Sequence, residues 1–207
     1  MQSQFEAQFE VLSMFPVPLY VGKLEDLTGD ESDFIQKLEY EVKTIDGNRV
    51  SKNRRLLDHP RLARVKRVVE SHLDTYRQNV LCTENQLYIT QSWTNQNAKG
   101  TQHQAHYHAN SVLSGTLYFG SDEAVAPIVF KSDRKTAIQV HSQQQNIFTA
   151  DTFSFRPRTS VIVLFPSSME HFVPVNHSES TRLSLAFNTF VKGDLGAEDA
   201  LTELHID

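Results

Sequence analysis

Residues 181–190 read TRLSLAFNTF, and their alternation decides how the second half of the chain is built. Successive side chains of a strand point to opposite sides. Thr181, Leu183, Leu185 and Phe187 therefore share one face, and Arg182, Ser184, Ala186 and Asn188 share the other. The large apolar set packs a sheet. The other face carries an arginine and a serine two residues apart, with the small Ala186 beside them. Such a pair suits a carboxylate, because a guanidinium binds it in two places and a hydroxyl adds a donor. Taken alone, the same face is also that of an outer strand with a surface arginine.

Segments of the same character run back to residue 83: 86–93 (QLYITQSW), 111–119 (SVLSGTLYF), 127–131 (PIVFK), 152–156 (TFSFR), 160–165 (SVIVLF) and 171–175 (HFVPV). They are rich in β-branched and aromatic residues and bounded by Gly, Pro, Asn, Asp and Ser. Short strands without intervening helices predict an antiparallel sandwich, jelly roll or barrel. Before residue 83 helical spacing dominates. Phe34, Ile35, Leu38 and Val42 share a face in 31–42, and Leu62, Val65, Val69, Leu73, Tyr76 and Val80 do so in 60–80. Pro60 suits the first turn of the second helix, with Asp58 as its cap. FPVPLY (15–20) reads as extended. The acidic tail 192–207 accommodates one short helix. The expectation is an α+β protein of one domain, 1–207: a helical N-terminal third (1–82) packed on a β-rich core (83–191), then the tail.

Composition limits what such a domain does. A chain of 207 residues buries roughly 70% of its unfolded surface, so it has a real core. A net charge of -5 gives no basic face for nucleic acid or a membrane surface. No apolar run approaches the ~20 residues of a membrane span. The start, MQSQFEAQFEVLSMF, lacks the pattern of a signal peptide. The one cysteine, Cys82, has no partner for a disulfide and reads as a lone buried thiol, which fits a reducing, intracellular and cytoplasmic setting.

The histidines carry the chemistry. HQAHYH (103–108) holds three of the nine in the chain. In an extended segment His106 and His108 project together and can share a metal ion, whereas His103 has the opposite parity and points away. Read alone, the pair is equally a polar surface loop. His171 follows a strong strand ended by Pro166 and stands where a neighbouring strand of a jelly roll returns it beside the pair. Arg182 comes eleven residues later. Two close histidines, a distant histidine and an arginine in this order call for a metal and an anionic co-ligand at the mouth of a barrel.

With these motifs the chain resembles the Fe(II)/2-oxoglutarate-dependent oxygenases, and more narrowly a small group of them found in bacteria and tailed bacterial viruses. The resemblance rests on Ser92, Trp93, Asn95 and Gly100; on His106, His108, Ser111, Ser114, Gly115 and Tyr118; on Phe165 to Val173; and on Arg182 to Asn188. It implies a double-stranded β-helix, a jelly roll like that of cupins. It makes His106 and His171 iron ligands, with His108 where the superfamily usually has aspartate. Arg182 then pairs with the distal carboxylate of 2-oxoglutarate and Ser184 assists. Tyr118 is a candidate for the same carboxylate or a core tyrosine.

The implied reaction is hydroxylation by O2, with oxidative decarboxylation of 2-oxoglutarate to succinate. Imidazole in place of carboxylate also suits zinc, copper and nickel. An alternative pairing of His108 with Asn110 offers a neutral amide, a poor ligand; Asn110 better holds the turn or hydrogen-bonds a ligand. Two rivals stand beside this expectation: a three-histidine cupin-type metalloenzyme that does not use 2-oxoglutarate, and a non-enzymatic β-sandwich binding module. Trp93 and Asn95 line the pocket or pack and terminate a strand, the latter preferred for Trp93. His59, His72, His141, His177 and His205 receive no role. The helix segment RLARVKR (61–67) reads as a solvated face. Substrate specificity is expected in the polar loops 95–105 and 132–150.

Overall fold

A computed structural model describes residues 9–42, 45–120, 124–134, 138 and 140–207. In chain order the strands are β1 (Tyr20–Lys23), β2 (Tyr40–Val42), β3 (Arg49–Ser51), β4 (Gln86–Asn97), β5 (His103–His106), β6 (Leu113–Tyr118), β7 (Ile128–Lys131), β8 (Thr152–Phe155), β9 (Val161–Pro166), β10 (His171–Val173), β11 (Arg182–Leu195) and β12 (Leu204–Ile206). The helices are α1 (Gly29–Gln36) and α2 (Ala63–Tyr76). The strands form two antiparallel sheets. The larger has the order β1-β9-β6-β11-β4-β3-β2, with β12 added on β11; the smaller has the order β5-β10-β7-β8.

The larger sheet is buried on both faces, and alternation sorts its side chains. Leu113 and Leu117 of β6, Ile162 and Leu164 of β9, and Leu185 and Phe187 of β11 turn outward. There they pack against Ile35 of α1 and against Val65, Val69, Leu73 and Tyr76 of α2. Each fully buried aliphatic side chain on α2 contributes roughly 1.5–3 kcal/mol. Tyr118, Val161, Val163 and Phe165 turn inward and meet Ile128 and Phe130 of the smaller sheet. The two sheets thus face each other as in a jelly roll, with polar residues at one end of the space between them. Gly115 marks the tightest outward contact: a Cβ there would lie 2.2 Å from the Phe187 ring and 2.8 Å from Leu164.

All seven segments expected as strands between residues 83 and 191 are strands. The expectation of a helical N-terminal third is corrected. Beside α1 and α2 the described part of that region contributes β1, β2 and β3, all to the larger sheet. The segment 31–42 is helical only to Gln36. Tyr40–Val42 then pairs with Arg49–Ser51, which leaves Val42 exposed. Strands of three or four half-exposed residues carry no periodic signal of their own. A 3-10 turn, Pro60–Leu62, leads into the second helix and is capped by His59, whose Nδ1 accepts from the Arg61 backbone N–H at 3.2 Å; α2 itself has no side-chain cap. Asp58, the expected cap, instead pairs with Lys66 at 2.8 Å. Cys82 is exposed rather than buried; it sits at φ 50° where the helix unwinds. The tail forms β12 and not a helix. The start of the chain (1–8) and parts of the loop 132–150 lie outside the described residues. No helix among the described residues is long and apolar enough to cross a membrane.

Candidate metal centre

The inner face of β11 sets out the floor of the site. Arg182, Ser184, Ala186 and Asn188 pair in register with Asn97, Asn95, Trp93 and Gln91 of β4. On the other side of β11, Ser184 pairs with Tyr118 and Asn188 with Ser114. The inward row is therefore polar at the end where the outward row is leucine and phenylalanine.

The smaller sheet brings the histidines to this floor. His106 of β5 and His171 of β10 are cross-strand partners, with ring centroids 4.4 Å apart. His108 lies just beyond β5, where its backbone N–H donates to the Ser167 carbonyl at 3.0 Å. Asn110 holds the following turn at φ 55°. The His108 ring is 5.0 Å from that of His106 and 5.2 Å from that of His171. One ligand nitrogen from each of the three lies within 4.8 Å of the others, and no carboxylate among the described residues joins them.

These rings are oriented for a metal. The Nδ1–H of His106 donates to the Gln104 carbonyl at 2.8 Å, and that of His171 donates to the Met169 carbonyl at 2.9 Å. A carbonyl only accepts, so each ring carries its proton on Nδ1 and presents the Nε2 lone pair. His108 Nδ1 lies 3.4 Å from the Asn188 amide, whose other end meets Ser114 Oγ at 2.9 Å. The amide stands with Nδ2 toward His108 and with Oδ1 accepting from Ser114 Oγ; turned end for end, its oxygen would accept the His108 Nδ1 proton and its nitrogen would donate to Ser114, which lies 2.8 Å from Ser167 Oγ. All three Nε2 atoms are then free, and the donor set fits a divalent transition ion. Burial keeps the His108 and His171 rings neutral. It lowers His171 to about 3 and His108 to about 4, and repulsion among the neighbouring imidazoles adds to the effect. Protons thus compete for these two rings well below the ordinary ~6.5 of histidine.

Arg182 is buried on four neutral acceptors. Its Nε donates to the Ala126 carbonyl at 3.1 Å, Nη1 to Asn97 Oδ1 at 3.4 Å and Ser184 Oγ at 3.3 Å, and Nη2 to Tyr118 Oη at 3.3 Å. No carboxylate among the described residues pairs with it, and a buried charge without a counter-charge is costly. Burial raises the Tyr118 pKa against the opposing pull of Arg182, so the phenol keeps its proton as a donor.

The residues expected from sequence as the site, His106, His108, His171, Arg182, Ser184 and Tyr118, thus share one interior space. His103 corrects the parity argument. Its ring lies 4.4 Å from His106, because a register shift between β5 and β10 sets three steps on β5 against two on β10 and returns His103 to the inner face. Trp93 does not end its strand. It lines the space, with its ring 5.9 Å from His108. Sequence reading missed Asn48 and Asn97. Asn97 Nδ2 donates to Asn48 Oδ1 at 3.0 Å and Asn48 Nδ2 donates to Asn95 Oδ1 at 3.3 Å, a buried amide chain that ends at the guanidinium. The parity of β4 contained Asn97, but only the β4–β11 register attaches it to Arg182.

Fold and cluster together define the class: a double-stranded β-helix protein with convergent histidines inside the roll. Residues 91–188 match the family described as "Putative 2OG-Fe(II) oxygenase". The fold is shared with several solved structures. HygX from Streptomyces hygroscopicus, solved with nickel, 2-oxoglutarate and hygromycin B, is 12% identical, with 84% of this chain and 82% of that one covered and a TM-score of 0.56. A Pseudomonas putida prolyl-4-hydroxylase is 13% identical, with 84% and 94% covered and a TM-score of 0.52. The 2-oxoglutarate-dependent epimerase SnoN from nogalamycin biosynthesis is 10% identical, with 84% and 78% covered and a TM-score of 0.61. At these identities the likeness establishes the fold. No curated protein sequence matches the chain.

Proposed function

We propose that the protein is an Fe(II)- and 2-oxoglutarate-dependent dioxygenase that hydroxylates an unidentified substrate. One observation carries this reading: a buried arginine with no carboxylate partner among the described residues shares its chamber with three convergent imidazoles. The site therefore holds no negative charge among the described residues. A divalent ion on the histidines adds two positive charges to that of Arg182, and a dicarboxylate is the ligand that balances them. The two metal-bound relatives in which 2-oxoglutarate occupies the same fold agree with this.

His106, His108 and His171 would hold the ion through Nε2. When bound, iron, 2-oxoglutarate and O2 supply the oxidative decarboxylation to succinate and the hydroxylation of a substrate C–H. Arg182 would take the distal carboxylate, with Ser184 Oγ and the Tyr118 O–H as further donors. The amide chain Asn97–Asn48–Asn95 keeps the guanidinium in place, and Phe130 and Phe165, 6.0 Å and 4.8 Å from the His171 ring, exclude water behind it. We read residues 1–207 as one domain, since β1–β3 complete the sheet that carries the site. A cytoplasmic setting, where both Fe(II) and 2-oxoglutarate are supplied, belongs to the same proposal.

The test is anaerobic titration of the Fe(II)-loaded protein with 2-oxoglutarate, followed by the metal-to-ligand charge-transfer band, and then succinate release in air. The wild type is expected to show both. Arg182→Met, which keeps length but removes the charge, is expected to weaken 2-oxoglutarate by about 100-fold, in line with loss of a paired charge, with iron affinity kept. No band in the wild type, or equal loss of iron and cosubstrate in the variant, overturns the reading. The three-histidine cupin alternative predicts iron binding that ignores 2-oxoglutarate.

A further inference from the structure

His103 is the residue of the cluster that this mechanism leaves without a task. The bulged pairing sets it opposite Val173 and one step along the chamber from His106 and His171. Its ring lies over that of His106, 4.4 Å away and tilted by 31°. It is outside the group whose ligand nitrogens converge within 4.8 Å. It lies instead toward the Arg182 end: it stands opposite Val173, and the chain runs on from there to Asn176, which bonds the Asn97 carbonyl and the Ala126 N–H, the two residues that also hold the guanidinium. His106, His108 and His171 each use Nδ1 in a hydrogen bond, whereas neither ring nitrogen of His103 has such a partner among the described residues.

A half-buried imidazole with no hydrogen bond spent among the described residues, set between the three converging histidines and a guanidinium that no described carboxylate pairs with, has one nitrogen to donate and a bound dicarboxylate to receive it. We infer that His103 is a binding residue for the dicarboxylate, its ring N–H donating to an oxygen of the ligand that spans the histidines and Arg182. The inference rests on the 2-oxoglutarate reading above and adds a donor to it. It also explains why β5 carries its extra residue: without the bulge His103 would leave the chamber.

The test uses the full chain loaded with Fe(II) under argon, with 2-oxoglutarate affinity read from the charge-transfer band and iron affinity from quenching of Trp93 fluorescence. His103→Phe keeps a ring over His106 and removes the donor; His103→Gln restores a donor without the ring. The phenylalanine variant is expected to bind 2-oxoglutarate about tenfold or more weakly, as for a lost hydrogen bond to a charged group. Its iron affinity should change by less than about threefold, and the glutamine variant should recover most of the loss. Unchanged 2-oxoglutarate affinity in His103→Phe overturns the inference and leaves the dioxygenase reading standing. Parallel loss of iron would make His103 a ligand and also overturns it. A wild type without the band removes the dioxygenase reading itself.

Discussion

Trp93 is the only tryptophan in the chain, and its indole lies 5.9 Å from the His108 ring. An open-shell ion on His108 would sit within quenching distance of that indole. Titration with Fe(II) or Co(II) is expected to lower tryptophan emission with saturation at one equivalent. In His171→Ala the midpoint should move up by about 10-fold or more, the scale for loss of one ligating or orienting group. Emission that ignores both ions would remove the ligand assignment. At this scale the convergence of His106 and His108 was legible from their i,i+2 spacing, and the placing of His171 and Arg182 beside them from their order along the chain. His103 was not, because its direction depends on a bulge set by the partner strand, and a single extra residue reverses parity.

Between elements, packing decides which substitutions the site feels. Gly115 sits where β6 crosses Phe187, and the Phe187 ring is fully buried against α2. It has no free space to vacate. Gly115→Ala is expected to destabilise by about 1–3 kcal/mol, the usual cost of overpacking, and to tilt β11 enough to weaken the hold of Arg182. Chemical denaturation together with 2-oxoglutarate titration checks both parts. Glu31 is the corresponding joint on the helical side. Its carboxylate accepts from the Thr28 backbone N–H at 2.8 Å, completing a capping box on α1, and from Arg64 Nε on α2 at 3.0 Å. Burial opposes ionisation there, but the Arg64 and Thr28 hydrogen bonds win and its pKa is lowered. Glu31→Ala is expected to cost about 2–3 kcal/mol through loss of a cap and a charge-assisted hydrogen bond, with histidine-site metal affinity unchanged. Equal stability in a thermal melt would show that α1 is held by its apolar side alone. The long strands were readable because eight or ten alternating residues outweigh local noise. β1 to β3 were not, since three-residue pairings draw their stability from the strand already beside them.

For the molecule as a whole, the buried histidines couple folding to pH. In the unfolded chain they take up protons near pH 6.5, while in the folded chain His103 and His171 hold out to about 3 and His108 to about 4. Between these limits the unfolded state binds more protons, so stability rises with pH and is lost as pH falls. From pH 7 to 5, above the carboxylate range, the metal-free protein is expected to lose stability with a limiting slope of about 1.4 kcal/mol per pH unit per ring. A metal ion, which binds only the neutral rings, should resist this loss. Thermal melts with and without metal test it, and His171→Asn should have the shallower slope. A melting temperature flat over that range would mean the rings are not shielded as described.

The local code was sufficient for the β class, for the two faces of β11 and for the residue types of a metal and carboxylate site, because these follow from alternation and side-chain chemistry within short segments. Long-range pairing alone assigned Asn97 and Asn48 to the guanidinium, brought His103 into the chamber and exposed Cys82. It also isolated Arg182 from any described counter-charge. Burial and register depend on strands a hundred residues apart, and no local pattern records which of them will meet.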